Sequence, residues 1–328
     1  MSPEAPLITL EWLYMLAGAM FAAFALLSLA DRKAKKRFGN AAFWGLMAAS
    51  LLGGSRIAQL PDGDFINGLI VLGLVGLAGF GFIGRSNPKT TSDKEREAFA
   101  EIRGNKLFLP ALIIPATALF GTLAYNYTAL GESGLFEARR ETYILLGIGV
   151  LLAIAVIFAW LKPPALAPLE EGRRLIDAIG WAAVLPQMLA ALGVVFAAAG
   201  VGEIIGGATR AAIPEGSVFL TVAVFGIAMA LFTMIMGNAF AAFPVMAAAI
   251  GVPLLILGYG GDPAVVGAVG MLAGFCGTLM TPMAANFNLV PAALLELKDP
   301  NGVIKVQIGT AIPMLVINIL LIYFLAFR

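Results

Sequence analysis

Charged residues cut this chain into long apolar stretches. Uncharged runs occupy 12–30, 38–55, 65–84, 107–131, 142–161 and 178–202, and three more follow at 216–261, 263–295 and 306–327. A helix needs roughly 20 apolar residues to cross about 30 Å of hydrocarbon. The first six runs and the last therefore read as single spans, the second with room to continue past Arg56. The other two are too long for one straight helix.

Run 216–261 is interrupted near Gly237-Asn238, with Pro244 shortly after. Two arms of this length could each cross at 1.5 Å per residue. However, the connection from Thr233 to Phe243 holds no Lys or Arg, and Thr233 and Asn238 are its only polar side chains. This favours a re-entrant hairpin whose tip stays inside the membrane, where protein or a watery cavity satisfies the bared backbone. Run 263–295 concentrates glycine, threonine, proline and asparagine between Gly274 and Asn288. It reads as a discontinuous helix, with a proline kink as the plainer alternative. The expected fold class is an all-α polytopic membrane protein of about eight spans, one re-entrant hairpin and one broken helix. Paired interruptions of this kind point to a midplane binding site of a secondary transporter.

Composition agrees: 60% of the 328 residues are hydrophobic and 12% are charged, about half the usual charged fraction, which excludes a soluble globular enzyme. The net charge of +1 offers no field for nucleic acid. The single cysteine, Cys276, excludes an internal disulfide and reads as a packing residue. Histidine is absent, removing the commonest general base and metal ligand, so neither catalysis nor a bound cofactor is expected.

Orientation follows from the basic residues. The leader carries Glu4 and Glu11 but no Lys or Arg, and a basic cluster at 31–37 follows the first run, so that run is no signal peptide. Placing the amino terminus outside puts 31–37, 85–106, 162–177 and 296–305 on the cytoplasmic side with sixteen of the twenty-one Lys and Arg. This is the distribution the positive-inside rule requires, and both termini then lie outside. The charged stretch 89–106 reads as a solvated loop with a short surface helix. The proline-rich stretch at 163–168 begins a linker, giving an amino-terminal five-helix bundle over 1–165 and a carboxy-terminal transport-type unit over 166–328.

Three patterns carry little chemistry. Gly79 to Gly84 fits GxGxxG, but no strand precedes it, and helix packing accounts for its glycines better than a dinucleotide does. Asn126-Tyr127-Thr128 is a sequon without an assigned role. The pairs Gly202/Gly206 and Gly270/Gly274 read as close helix contacts.

The candidate site chemistry comes from backbone dipoles. A helix ending near Gly237 bares carbonyls for a cation, and one restarting near Ala239 or Met283 bares N–H groups for an anion. Asn238, Asn286 and Asn288 add amide donors and acceptors, and Thr278 and Thr281 add hydroxyls. Gly237, Asn238, Ala239, Gly277, Thr278, Thr281, Pro282, Asn286 and Asn288 are the candidate substrate and ion residues. Sodium would bind backbone carbonyls near Gly237 and Thr278 together with Asn238. Asp262 is the only acidic or basic residue between Gly216 and Leu295, which favours sodium over proton coupling. Glu203 and Arg210 read as solvated charges near a span end.

The order Gly237-Asn238-Ala239-Phe240, then Gly277-Thr278-Leu279-Met280-Thr281-Pro282-Met283-Ala284-Ala285-Asn286, resembles the carboxy-terminal repeat of the ion transporter superfamily over roughly residues 175–328. That superfamily includes divalent anion, citrate and gluconate carriers. Gly237 and Ala239 stand where its better-known members have Ser and Thr, so only Asn238 keeps its side-chain role. With Asn105-Lys106-Leu107-Phe108-Leu109-Pro110 and Leu185-Pro186-Gln187-Met188-Leu189-Ala190, the whole chain resembles a bacterial family described as one subunit of a two-chain 5-oxoproline transporter. The resemblance implies a second, smaller membrane subunit, inverted repeats, elevator-like alternating access, and residence in the bacterial inner membrane. The expected function is a sodium-coupled secondary transporter subunit for a small carboxylate, 5-oxoproline first. Carriers of dicarboxylates or sugar acids such as gluconate, and a non-transporting membrane scaffold, are the alternatives.

Overall fold

The computed structural model describes residues 6–86, 88–214 and 216–327. Helix covers 77% of the chain and no strand is described, so most backbone polar groups are satisfied within their own segments, as a bilayer requires. Among the described residues, six helical segments are long and apolar enough to cross a membrane. The chain is a multi-pass membrane protein. It divides into two compact units, residues 1–177 and 178–328.

In the first unit, α1 (Leu10–Ala30) packs along α2 (Arg37–Ile57), and α2 packs on α3 (Gly63–Gly79). The short α4 (Asp93–Arg103) leads through a 3-10 turn into α5 (Phe108–Tyr127), which pairs with α6 (Glu141–Leu161). The first five apolar runs thus become α1, α2, α3, α5 and α6, with α2 continuing past Arg56 as the pattern allowed. The charged stretch folds as the expected surface helix. Its Ser92 hydroxyl accepts from the Glu95 N–H while the Glu95 carboxylate accepts from the Ser92 N–H, a reciprocal cap. The amphipathic α7 (Ala167–Ile179) closes the unit, and Phe24 fills the space over Gly172.

Two expectations need correction here. The third run, 65–84, reads as one span through Gly84, but α3 stops at Gly79. Gly81 adopts φ +69, the Gly81 N–H reaches the Ala78 carbonyl and the Phe82 N–H reaches the Leu77 carbonyl. This left-handed stop needs a glycine. Gly79 and Gly81 of the GxGxxG match therefore end a helix rather than pack one, since a Cβ at either would meet nothing within 4 Å, whereas Gly84 lies against Lys36, where a Cβ would stand 2.9 Å from its side chain.

The second correction concerns the sixth run, 178–202, which is not one helix. Gly180 at φ +56 starts a 3-10 turn, α8 covers Leu185–Ala198, and Gly200 at φ +69 separates it from α9 (Val201–Ala212). Uniform apolarity concealed two left-handed glycines. Glu203 and Arg210 both lie exposed on α9.

In the second unit, α10 (Val218–Met236) packs against α11 (Ala239–Met246), α12 (Pro263–Thr278) and α14 (Gly302–Ala326). The helix of α11 continues in π geometry over Ala247–Ile256. Phe225, Met229, Met236, Met246, Ile250, Leu255 and Ile322 are fully buried at the centre. Between membrane helices the attraction is packing rather than water exclusion, so small residues mark the contacts. A Cβ at Gly277 would stand 2.2 Å from the Ala230 carbonyl oxygen, and one at Gly206 would stand 2.6 Å from that of Ala249. Gly202, Gly270 and Gly274 also face neighbouring elements within 3.2 Å, so both GxxxG pairs are close contacts.

Candidate functional site: two helix interruptions around a pocket

The first interruption lies between α10 and α11. Gly237 takes φ +68 and its N–H bonds the Thr233 carbonyl at 2.7 Å, ending α10 in a left-handed cap. Asn238 turns extended, and its Oδ1 accepts the Phe240 N–H at 2.8 Å, starting α11. Two residues thus stop one helix and begin the next, so terminal carbonyls of α10 and the first N–H groups of α11 adjoin one short turn.

The second interruption is longer. After Thr278 the chain turns irregularly through 279–288 before α13 (Leu289–Leu294). Run 263–295 is therefore a broken helix, not a kinked one. Asn288, fully buried, holds the break together: its Nδ2 donates to the carbonyls of Thr278 at 2.8 Å and Thr281 at 2.7 Å. The Thr281 hydroxyl donates to the Met234 carbonyl at 2.9 Å and accepts the Met283 N–H at 3.2 Å. That pair of bonds ties the second break to the end of α10.

The two interruptions share a pocket of about 160 Å³. This is smaller than the roughly 300–1,000 Å³ of pockets for drug-sized ligands and suits a compact metabolite. Gly237, Asn238, Ala239 and Asn286 line it, with Phe240, Phe275, Met283 and Phe287 as apolar wall and Leu185 of α8 closing one side. The rings of Phe240 and Phe275 meet edge to face at 5.4 Å. The N–H groups of Ala239, Ala284, Ala285 and Asn286 find no acceptor among the described residues, and no ionisable side chain lines the pocket.

The candidate residues sort into two sets. Gly237, Asn238, Ala239 and Asn286 meet at the pocket. Gly277, Thr278, Thr281 and Asn288 do not line it: Gly277 is the α10 contact, the Thr278 hydroxyl bonds back to the Phe275 carbonyl at 2.7 Å, and the Asn288 amide N–H groups are spent on the break. Pro282 lies exposed in the irregular turn and does not line the pocket. The Thr278 carbonyl, a candidate sodium ligand, already accepts from Asn288.

Sequence reasoning passed over Thr233, Leu185 and Phe275 as site residues. Thr233 is fully buried and its hydroxyl has no hydrogen-bond partner among the described residues. Ser28, Thr209 and Thr221, by contrast, each bond the carbonyl one turn back. Thr233 Oγ1 instead stands 3.2 Å from where a Cβ of Gly274 would be, facing the slot between α10 and α12. Asn288 Oδ1 is the other unpartnered oxygen at the breaks. A threonine in an otherwise apolar run was the available signal for the first, whereas Leu185 and Phe275 are indistinguishable in sequence from other apolar residues.

Residues 11–327 match the family described as "protein of unknown function (DUF979)". The chain belongs to that family. The match spans both units, so the paired interruptions are part of the family's domain rather than an appendage to it. No curated protein and no solved structure matches the chain.

Proposed function

We propose that this chain is a subunit of a secondary transporter that carries a small carboxylate across the bacterial inner membrane by alternating access. The supporting observation is the pocket where two helix interruptions meet, lined by Asn238 and Asn286 and by unpaired N–H groups. Such groups hold a carboxylate without a buried arginine. The best named substrate is 5-oxoproline: its single carboxylate faces the N–H groups, its lactam N–H and C=O pair with asparagine amides, and its ring lies against Phe240 and Phe275.

Coupling is assigned to sodium. The unpartnered hydroxyl of Thr233, one turn before Gly237, and the terminal carbonyls of α10 are oxygen ligands of the type a hard cation takes. The reading includes a hairpin over 216–261 that enters and leaves on one face, and a second, smaller membrane subunit that completes the transporter. Competition among 5-oxoproline, glutamate, gluconate and succinate for the purified complex tests the substrate. Displacement of labelled 5-oxoproline by the unlabelled compound alone supports it, while stronger displacement by gluconate or succinate contradicts it.

A further inference from the structure

The first unit contains a buried ionic cluster of its own. Arg173 on α7 is 3% exposed and its guanidinium reaches Asp31 at 3.4 Å, Glu170 at 3.0 Å and the Leu27 carbonyl at 3.0 Å. One turn further along, Asp177 is 7% exposed. Its Oδ1 accepts the Trp44 indole N–H at 2.7 Å, and its Oδ2 accepts the Ser86 hydroxyl. The segments following α1, α3 and α6 therefore converge at one end of the unit. Taking ionisable side chains out of water is costly unless each is paired and hydrogen-bonded.

Three carboxylates surround one guanidinium, and Arg173 bonds the other two. Asp177 is left with neutral donors only, and no Lys or Arg among the described residues forms an ion pair with it. The groups facing it are Trp44 from α2, Ser86 from the segment before α4, Asp31 from the end of α1 and Arg173 from its own helix. Burial lifts its carboxyl above the ordinary range and the Asp31 charge adds to the rise, while the Ser86 and Trp44 hydrogen bonds and the Arg173 charge oppose it. The ionised form is the penalised one, and the penalty disappears as pH falls through this raised value.

We propose that Asp177 is a proton-binding site, with the proton taken on Oδ2. The two partners are not equivalent. An indole N–H can only donate, so Oδ1 must remain an acceptor. A serine hydroxyl donates or accepts, so Ser86 can turn to receive the new O–H and keep its hydrogen bond. One proton is added, the side-chain charge goes from minus one to zero, and no other bond in the cluster has to break. The site makes the α7 end of the first unit responsive to pH, and it stands whether or not the pocket in the second unit carries a carboxylate.

Trp44 is a built-in reporter. In a W12F/W160F/W181F background the Trp44 emission should titrate with a midpoint above the usual carboxylate value of about 3.9. D177N should abolish the titration while keeping both hydrogen bonds, since its carbonyl still accepts from Trp44 and its amide donates to Ser86. S86A should shift the midpoint. Should the triple variant fail to fold, a pH-difference infrared spectrum of the otherwise unaltered protein should show a protonated carboxyl band that D177N lacks. A titration unchanged in D177N, a midpoint in the ordinary carboxylate range, or a spectrum in which the two proteins share the band would overturn the proposal.

Discussion

The side-chain amide of Asn288 donates to the carbonyl of Thr278 across ten residues, at 2.8 Å, and so closes the gap where α12 ends. A second bond, to Thr281, makes Asn288 the clasp of the break. Asn286, two residues earlier, is exposed and turned to the pocket.

The two asparagines should therefore fail differently. N288A orphans two buried carbonyls, at about 1–3 kcal/mol each, and should lower the thermal midpoint of the detergent-solubilised protein by several degrees. N286A should leave that midpoint unchanged. Equal losses of stability would contradict the division between clasp and pocket.

Glycine substitutions at the helix contacts make a second comparison. A Cβ at Gly277 has no room beside the rigid Ala230 backbone, whereas one at Gly309 meets nothing within 4 Å. G277A should cost about 1–3 kcal/mol or more through forced separation of α10 and α12, and G309A should be close to neutral. Thermal unfolding of the two variants side by side checks this.

These contrasts also show what could be read from sequence. Five apolar runs became helices within a few residues because charges bracket them. The breaks at Gly237 and after Thr278 were legible because glycine, proline and asparagine are conspicuous in apolar runs. The fracture of 178–202 was not, since nothing in an apolar composition distinguishes Gly180 and Gly200, which take positive φ, from Gly193, which stays helical. Nor could residue type tell that Asn286 faces the pocket while Asn288 faces the backbone. Both are asparagines in one irregular segment, and only its path separates them.

Arg173 anchors the first unit. R173M removes the guanidinium that Asp31 and the half-buried Glu170 share, a loss of roughly 1–3 kcal/mol, while R173K keeps the charge but not the planar fork and should fall between. Chemical denaturation of the purified protein should rank wild type above R173K above R173M. Equal stability of the three would contradict the anchoring role.

At Asn238 the capping and ligand roles can be separated. Its Oδ1 caps α11, and serine or aspartate can do the same, whereas alanine loses about 1 kcal/mol. N238S should keep wild-type stability and lose substrate binding, because it lacks the amide donor, and N238A should lose both. Retained binding in N238S would confine this residue to its cap.

The most direct test of the account is uptake of labelled 5-oxoproline into proteoliposomes holding this chain and the smaller partner subunit proposed for it, under an inward sodium gradient, with wild type compared against N286A. Gradient-driven accumulation by wild type, lost in an N286A protein of unchanged thermal midpoint, is the expected result. Equal uptake by both proteins, or accumulation indifferent to sodium, would contradict a sodium-coupled carboxylate site at the paired interruptions.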